Sequence, residues 1–147
     1  MKIDLNLEFL KILPFANYIG VKARNKKELE LVPHREVENH IGTIHAAAQF
    51  TLAETQSGLY MLSLFPEYSD DVVPLLRSSN IKYKFPATTA LVALASVTKE
   101  DKDKFERQFL RHNRAMLMVH VEVRDSNDTV TMLGDFGWFI QRKALVE

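Results

Sequence analysis

The chain has 147 residues, enough for one ordinary domain and too few for two well-cored ones. Nineteen Lys+Arg against nineteen Asp+Glu leave no net charge, which removes the basic surplus that nucleic-acid or anionic-membrane binding requires. With 46% hydrophobic and 26% charged residues the chain can bury a core, and with no Cys it offers neither a disulfide scaffold, nor a thiol nucleophile, nor a thiolate metal site.

The N-terminus, Met1-Lys2-Ile3-Asp4-Leu5-Asn6-Leu7-Glu8, carries acidic residues where a secretory signal needs an unbroken apolar run. The longest weakly charged stretch, Thr43 to Phe65, is interrupted by Glu54 and by Thr, Gln and Ser, a poor composition for a membrane span. These features set the expectation of a soluble cytoplasmic protein. No Gly/Ser-rich linker or repeat divides the chain, so residues 1–147 read as a single domain.

In chain order, Asn6 to Leu13 predicts a short amphipathic helix, with Leu7, Leu10 and Leu13 on one side and Pro14 ending it. Ile19 to Arg24 and Glu28 to Val32 read as strands around an Asn25-Lys26-Lys27 turn, and Pro33 to Asn39 as a polar connection. A long helix runs from about His45 to Leu64, closed by Phe65-Pro66 and apolar most of the way round, as a buried central helix is. Strands follow at Leu75–Lys84 and Thr89–Val97. Thr98 to Asp101 resembles a capping box and opens a second helix, reaching about His112, on Phe105, Phe109 and Leu110. A strand from Ala115 to Val123 places Leu117, Val119, Val121 and Val123 on one face. Asp125 to Asp128 then turns the chain into two further strands, Thr129–Leu133 and Phe136–Gln141. The expected architecture is α+β: one long helix beside an antiparallel sheet of five to seven strands.

Glu54 is the only acidic residue of the long helix. Burial among Ala, Leu and Phe would raise its pKa toward the range of a general base. The helix opens on Asn39-His40-Ile41-Gly42-Thr43-Ile44-His45-Ala46-Ala47-Ala48, where free backbone N–H groups and the positive end of the helix dipole form an oxyanion site. His45 and Glu54 stand nine residues apart, roughly 13–14 Å of rise and half a turn, so they point away from each other on one helix. A site using both therefore calls for a symmetric dimer with two composite sites.

The segment Asn39 to Glu54, followed by Gly58, resembles the helix signature of hot-dog-fold acyl-CoA thioesterases. The nearest likeness is to the phenylacetate-degradation and 4-hydroxybenzoyl-CoA thioesterase branch, in a poorly characterised subgroup. Asn80 to Ala87 resembles the strand after that helix, and the likeness spans about Phe15 to Arg142, its specific part being the helix segment. The resemblance implies a long central helix wrapped by an antiparallel sheet, and a dimer or tetramer with sites between subunits. It implies no metal and no bound cofactor, coenzyme A arriving as part of the substrate. Glu54 would be general base or nucleophile, the Ala46 N–H would polarise the thioester carbonyl, Asn39 would orient water or the carbonyl, and His45 would shape the turn or assist. Gln49, Ser78 and Ser79 are candidate pocket residues, and Lys82 and Lys84 candidate partners for coenzyme A phosphates. Ala46-Ala47 replaces the Gly pair common in that family, which keeps the N–H but adds a methyl.

Two rival readings stand beside this one. A hot-dog dehydratase would use His45 and a carboxylate, but the Pro/Gly-rich loop around the His is missing. A non-catalytic acyl-CoA-binding or structural module would need no chemistry from Glu54. His34, His40, His112 and His120 have no paired ligand spacing.

Overall fold

A computed structural model describes residues 3–145, so Met1-Lys2 of the N-terminal reading and Val146-Glu147 of the single-domain reading lie outside it. The first element, α1, is one turn, Leu7–Leu10, begun by Asn6, whose side chain accepts the Phe9 N–H. The helix expected over Asn6 to Leu13 stops at Leu10, with Lys11 as its C-cap, so it is not ended by Pro14. That proline stands at the first position of a second helix, α2, Pro14–Ile19, which occupies the start of the expected Ile19–Arg24 strand. Proline lacks only an N–H that a first helical turn leaves unused, and Gly20, at φ 95°, stops α2 in the left-handed conformation that residues with a Cβ avoid. Only Lys22–Ala23 remains as β1, paired with β2, Leu29–Leu31.

The central helix, α3, spans Ala46–Leu64. It is followed by β3 (Val72–Tyr83), β4 (Leu91–Ser96), α4 (Lys99–His112), β5 (Arg114–Arg124) and β6 (Val130–Arg142). Thr98 caps α4 by accepting the Asp101 N–H at 3.1 Å. The six strands form one antiparallel sheet in the order β1-β2-β4-β5-β6-β3. The two strands expected at Thr129–Leu133 and Phe136–Gln141 are one, because Gly134 is not a turn residue. A Cβ there would meet the Phe136 ring at 2.7 Å and Ile81 at 3.0 Å, the mark of a glycine that admits close packing within a strand.

Helix α3 packs across the inner face of β4, β5 and β6, with further contacts to β2. The period-two residues Leu117, Val119, Val121 and Val123 are buried there against Leu52, Ala53 and Leu59. Each Val or Leu so covered contributes on the order of 1.5–3 kcal/mol. The same core continues through Phe65 to Phe105 and Phe109 of α4, with ring centroids 4.6 and 5.6 Å apart along the series. The buried polar residues of α3 have work to do. Gln56 accepts the Leu29 N–H and donates to Lys27 O, both at 2.9 Å, fastening β2 to the helix.

Candidate active site

The approach to α3 is a loop that Asn39 holds closed. Its carboxamide oxygen accepts the N–H groups of Ile41 (3.1 Å) and Thr43 (3.0 Å), its NH2 donates to Thr43 Oγ1 (2.7 Å), and its own N–H donates to Thr43 O. Gly42 turns through φ 78°. Ile44 and His45 then donate to Ala87 O and Val37 O, each at 2.8 Å, and so pin the start of the helix against the body of the protein.

His45 is the N-cap. Its Nδ1 accepts the Ala47 N–H at 2.9 Å, and its carbonyl accepts from Ala48 and Gln49. The first turn of a helix leaves donors unpaired unless a side chain or ligand meets them. Here, among the described residues, Ala47 and Ala48 are served and the Ala46 N–H alone carries no bond. Ala46 is exposed and borders a cavity of about 280 Å³ shared with Asn39, Thr43, Gln49, Tyr83 and Lys84. Tyr83 donates its hydroxyl to Ala46 O at 3.2 Å, tying β3 to the helix end, and burial pushes the Tyr83 pKa up.

Glu54 lies two turns further along, half-buried on the wall of a different cavity of about 340 Å³. Among the described residues no hydrogen bond or salt bridge reaches its carboxylate, and desolvation raises its pKa above the ordinary carboxylate value. Three residues further along the helix, the buried Ser57 donates to Glu54 O at 2.7 Å and accepts the Trp138 indole N–H at 2.9 Å. Gly58 permits that arrangement, since a Cβ there would meet the Trp138 ring at 3.1–3.2 Å. Trp138, whose sequence context suggests core or interface packing, is both buried and part of the Glu54 cavity wall.

The other candidates divide between faces. Gln49 and Lys84 border the cavity at the helix start, although Gln49 is buried and its oxygen accepts from Thr131 Oγ1 at 3.0 Å. Ser78 lies against Gly137 so closely that a Cβ on Gly137 would collide with its hydroxyl. Ser79 stands opposite Phe136 in the ladder. Lys82 lines a groove of about 480 Å³ on the outer sheet face, together with Asn80, Ser96, His120 and Asp135, and neither Ala46 nor Glu54 borders it. His120 Nδ1 and Asp135 Oδ1 are 2.5 Å apart there. The pairing of β3 with β6 shifts register between Leu76 and Ser78, a bulge that re-aims the residues after it. Among the described residues no three His, Asp or Glu side chains come together to hold a metal ion, and no helix is long and apolar enough to cross a membrane.

A central helix with a capped, donor-bearing N-terminus and a half-buried acidic residue, laid across a six-stranded antiparallel sheet, is the hot-dog fold. The chain belongs to the family described as DUF4442, a domain of unknown function, whose model matches residues 16–140. Among solved structures it is similar to a Pseudomonas aeruginosa protein of unknown function described as a probable thioesterase. That likeness has TM-score 0.75 and 21% identity, covering 97% of this chain and 99% of that one. A Haemophilus influenzae thioesterase matches with TM-score 0.74 and 15% identity over 100% and 98%. A Bacillus halodurans protein solved with CoA matches with TM-score 0.71 and 19% identity over 91% and 80%. No curated protein sequence matches the chain.

Proposed function

We propose that this protein hydrolyses acyl-CoA thioesters, with no metal or bound cofactor of its own, at a site completed by a second copy of the chain. One observation carries the reading. Among the described residues, the same helix presents an unpartnered, desolvated carboxylate, Glu54, and a single unpaired N–H at its positive end, Ala46. These are the two groups thioester hydrolysis needs: a base near neutrality and a donor for the oxyanion. The thioesterase descriptions of the P. aeruginosa and H. influenzae proteins, and the CoA bound by the B. halodurans protein, support the same chemistry.

Within one protomer the two groups border separate cavities and are separated along the helix by eight residues, about 12 Å of rise. Strand β3 supplies the means of joining them. It is twelve residues long, ends the sheet, and has one edge unpaired among the described residues. Such an edge is an open template for a further strand. A two-fold partner adding there, as a homodimer or as half of a homotetramer, brings the Ala46 end of one α3 to Glu54 of the other.

In the reaction Glu54 takes a proton from water as the water oxygen bonds to the thioester carbonyl carbon, and the Ala46 N–H holds the charge that develops on the carbonyl oxygen. The C–S bond then breaks, the sulfur leaves with the proton returned by Glu54, and a carboxylic acid and free coenzyme A result. Direct attack by the Glu54 carboxylate, followed by hydrolysis of the mixed anhydride, uses the same two groups. Asn39 and His45 act by building the helix start, and Lys84, on the border of the Ala46 cavity, is the proposed partner of coenzyme A phosphates.

The test is thiol release from short, long and aromatic acyl-CoAs, with Glu54→Ala measured in parallel. Turnover that disappears in a folded variant is the expected result. No turnover in the wild type, with acyl-CoA still raising its melting temperature, would replace hydrolysis by acyl-CoA binding.

A further inference from the structure

The cavity that holds Glu54 is closed by a part of the chain far from it in sequence. Its walls include Leu59, Leu62, Leu76 and Trp138, but one side is formed by Phe9 of α1 and Leu13 just after it. That side is fixed in place. The Asn6 N–H donates to Ser63 Oγ of α3 at 3.0 Å, and Ser63 donates in turn to Leu59 O. Asn17 clasps the chain between the first two helices, its NH2 donating to Leu10 O at 2.8 Å and to Leu13 O at 2.7 Å.

Polarity within the cavity is confined to Glu54 and its neighbour Thr55, since the indole N–H of Trp138 is already given to Ser57. The other side chains of the lining are apolar and offer nothing to a hydroxyl, amide or carboxylate. A polar group carried on the acyl chain would be stripped of water there without a partner. Within one protomer the cavity measures about 340 Å³, the small end of ligand pockets, which run from roughly 300 to 1,000 Å³, and a partner docked on β3 would narrow its open side further.

Taking the proposed hydrolysis as the reading on which this rests, we infer that Phe9 and Leu13 are the end wall of the acyl pocket. They set the size of the acyl group and restrict it to apolar groups of short to moderate length. The thioester end lies at Glu54 and the tail runs along Trp138 toward α1. Neither residue touches the reacting atoms. Both act on specificity alone.

The experiment is the kcat/KM profile over straight-chain acyl-CoAs, in steps of two carbons from short to long, for the wild type, Phe9→Ala and Leu13→Trp. A methylene that enters or leaves an apolar pocket changes specificity by about tenfold or more. Phe9→Ala is therefore expected to move the optimum to longer chains by at least one step, with the shortest substrates little changed. Leu13→Trp is expected to move it the other way. The opposite directions keep the test valid even if one variant folds poorly. A uniform loss at every length in a folded variant, with the optimum unmoved, would overturn the inference and leave α1 a purely structural cover. If the wild type releases no thiol, the same series is read as thermal stabilisation by each acyl-CoA. An optimum that still shifts then upholds the wall while hydrolysis falls, and one that does not shift overturns the wall as well.

Discussion

Replacing Ala46 by proline isolates the oxyanion donor. The substitution removes one N–H, and that N–H makes no bond among the described residues, so no hydrogen bond of α3 is lost. Proline is favoured at the first position of a helix. It also constrains its predecessor to extended backbone, and His45 already sits at φ −61°, ψ 140°. The fold therefore accommodates the change, and the melting temperature is expected to stay near that of the wild type. Catalysis should not. Loss of one oxyanion donor costs about 10²–10³ in kcat, or roughly 2.7–4 kcal/mol of transition-state stabilisation. KM should change little, because the donor meets charge that develops after binding. The assay is steady-state thiol release with a thiol-reactive chromophore, and Ala46→Gly, which keeps the N–H and removes the methyl, serves as the control with activity retained. Wild-type kcat in a folded Ala46→Pro variant would refute the oxyanion assignment.

Two further expectations concern pH and stability. The folded protein holds the Glu54 proton more tightly than the unfolded chain, because burial raises its pKa. Wild-type stability therefore falls as pH rises from the ordinary carboxylate range through the raised value. Glu54→Gln should melt higher than wild type at neutral pH, with the advantage fading in mild acid. A wild type more stable than the variant at neutral pH would reveal a partner for the carboxylate. Gln56→Leu leaves the buried Leu29 N–H without its acceptor and should cost about 1–3 kcal/mol in denaturant unfolding; an unchanged midpoint would contradict the fastening role of Gln56.

The central helix was legible because its cues agree: an apolar run closed by Phe65-Pro66, a polar approach, and one acid within it. Glu54 stood out for the same reason, since a lone carboxylate in such a run has to be explained. The misreadings came from residues with two roles. Pro14 looks like a helix stop but is the first residue of the next helix, and Gly134 looks like punctuation but is the point where Phe136 and Ile81 crowd the strand. The bulge before Ser78 could not be read from alternation, so which of Ser78, Ser79 and Lys82 share a face was settled only by pairing. Phe9 and Leu13 carried no local sign of their place, because they meet the Glu54 cavity only through tertiary packing.

The most direct test of the composite site is to mix two inactive proteins. Equimolar Glu54→Ala and Ala46→Pro are unfolded together, refolded to reassort the subunits, and assayed for thiol release. In a mixed two-fold dimer one site carries both lesions and the other carries neither, so random reassortment should restore about one quarter of wild-type activity. If mixed dimers form and no activity returns, the Ala46 N–H and Glu54 do not serve one site across two subunits, and the account fails at its centre.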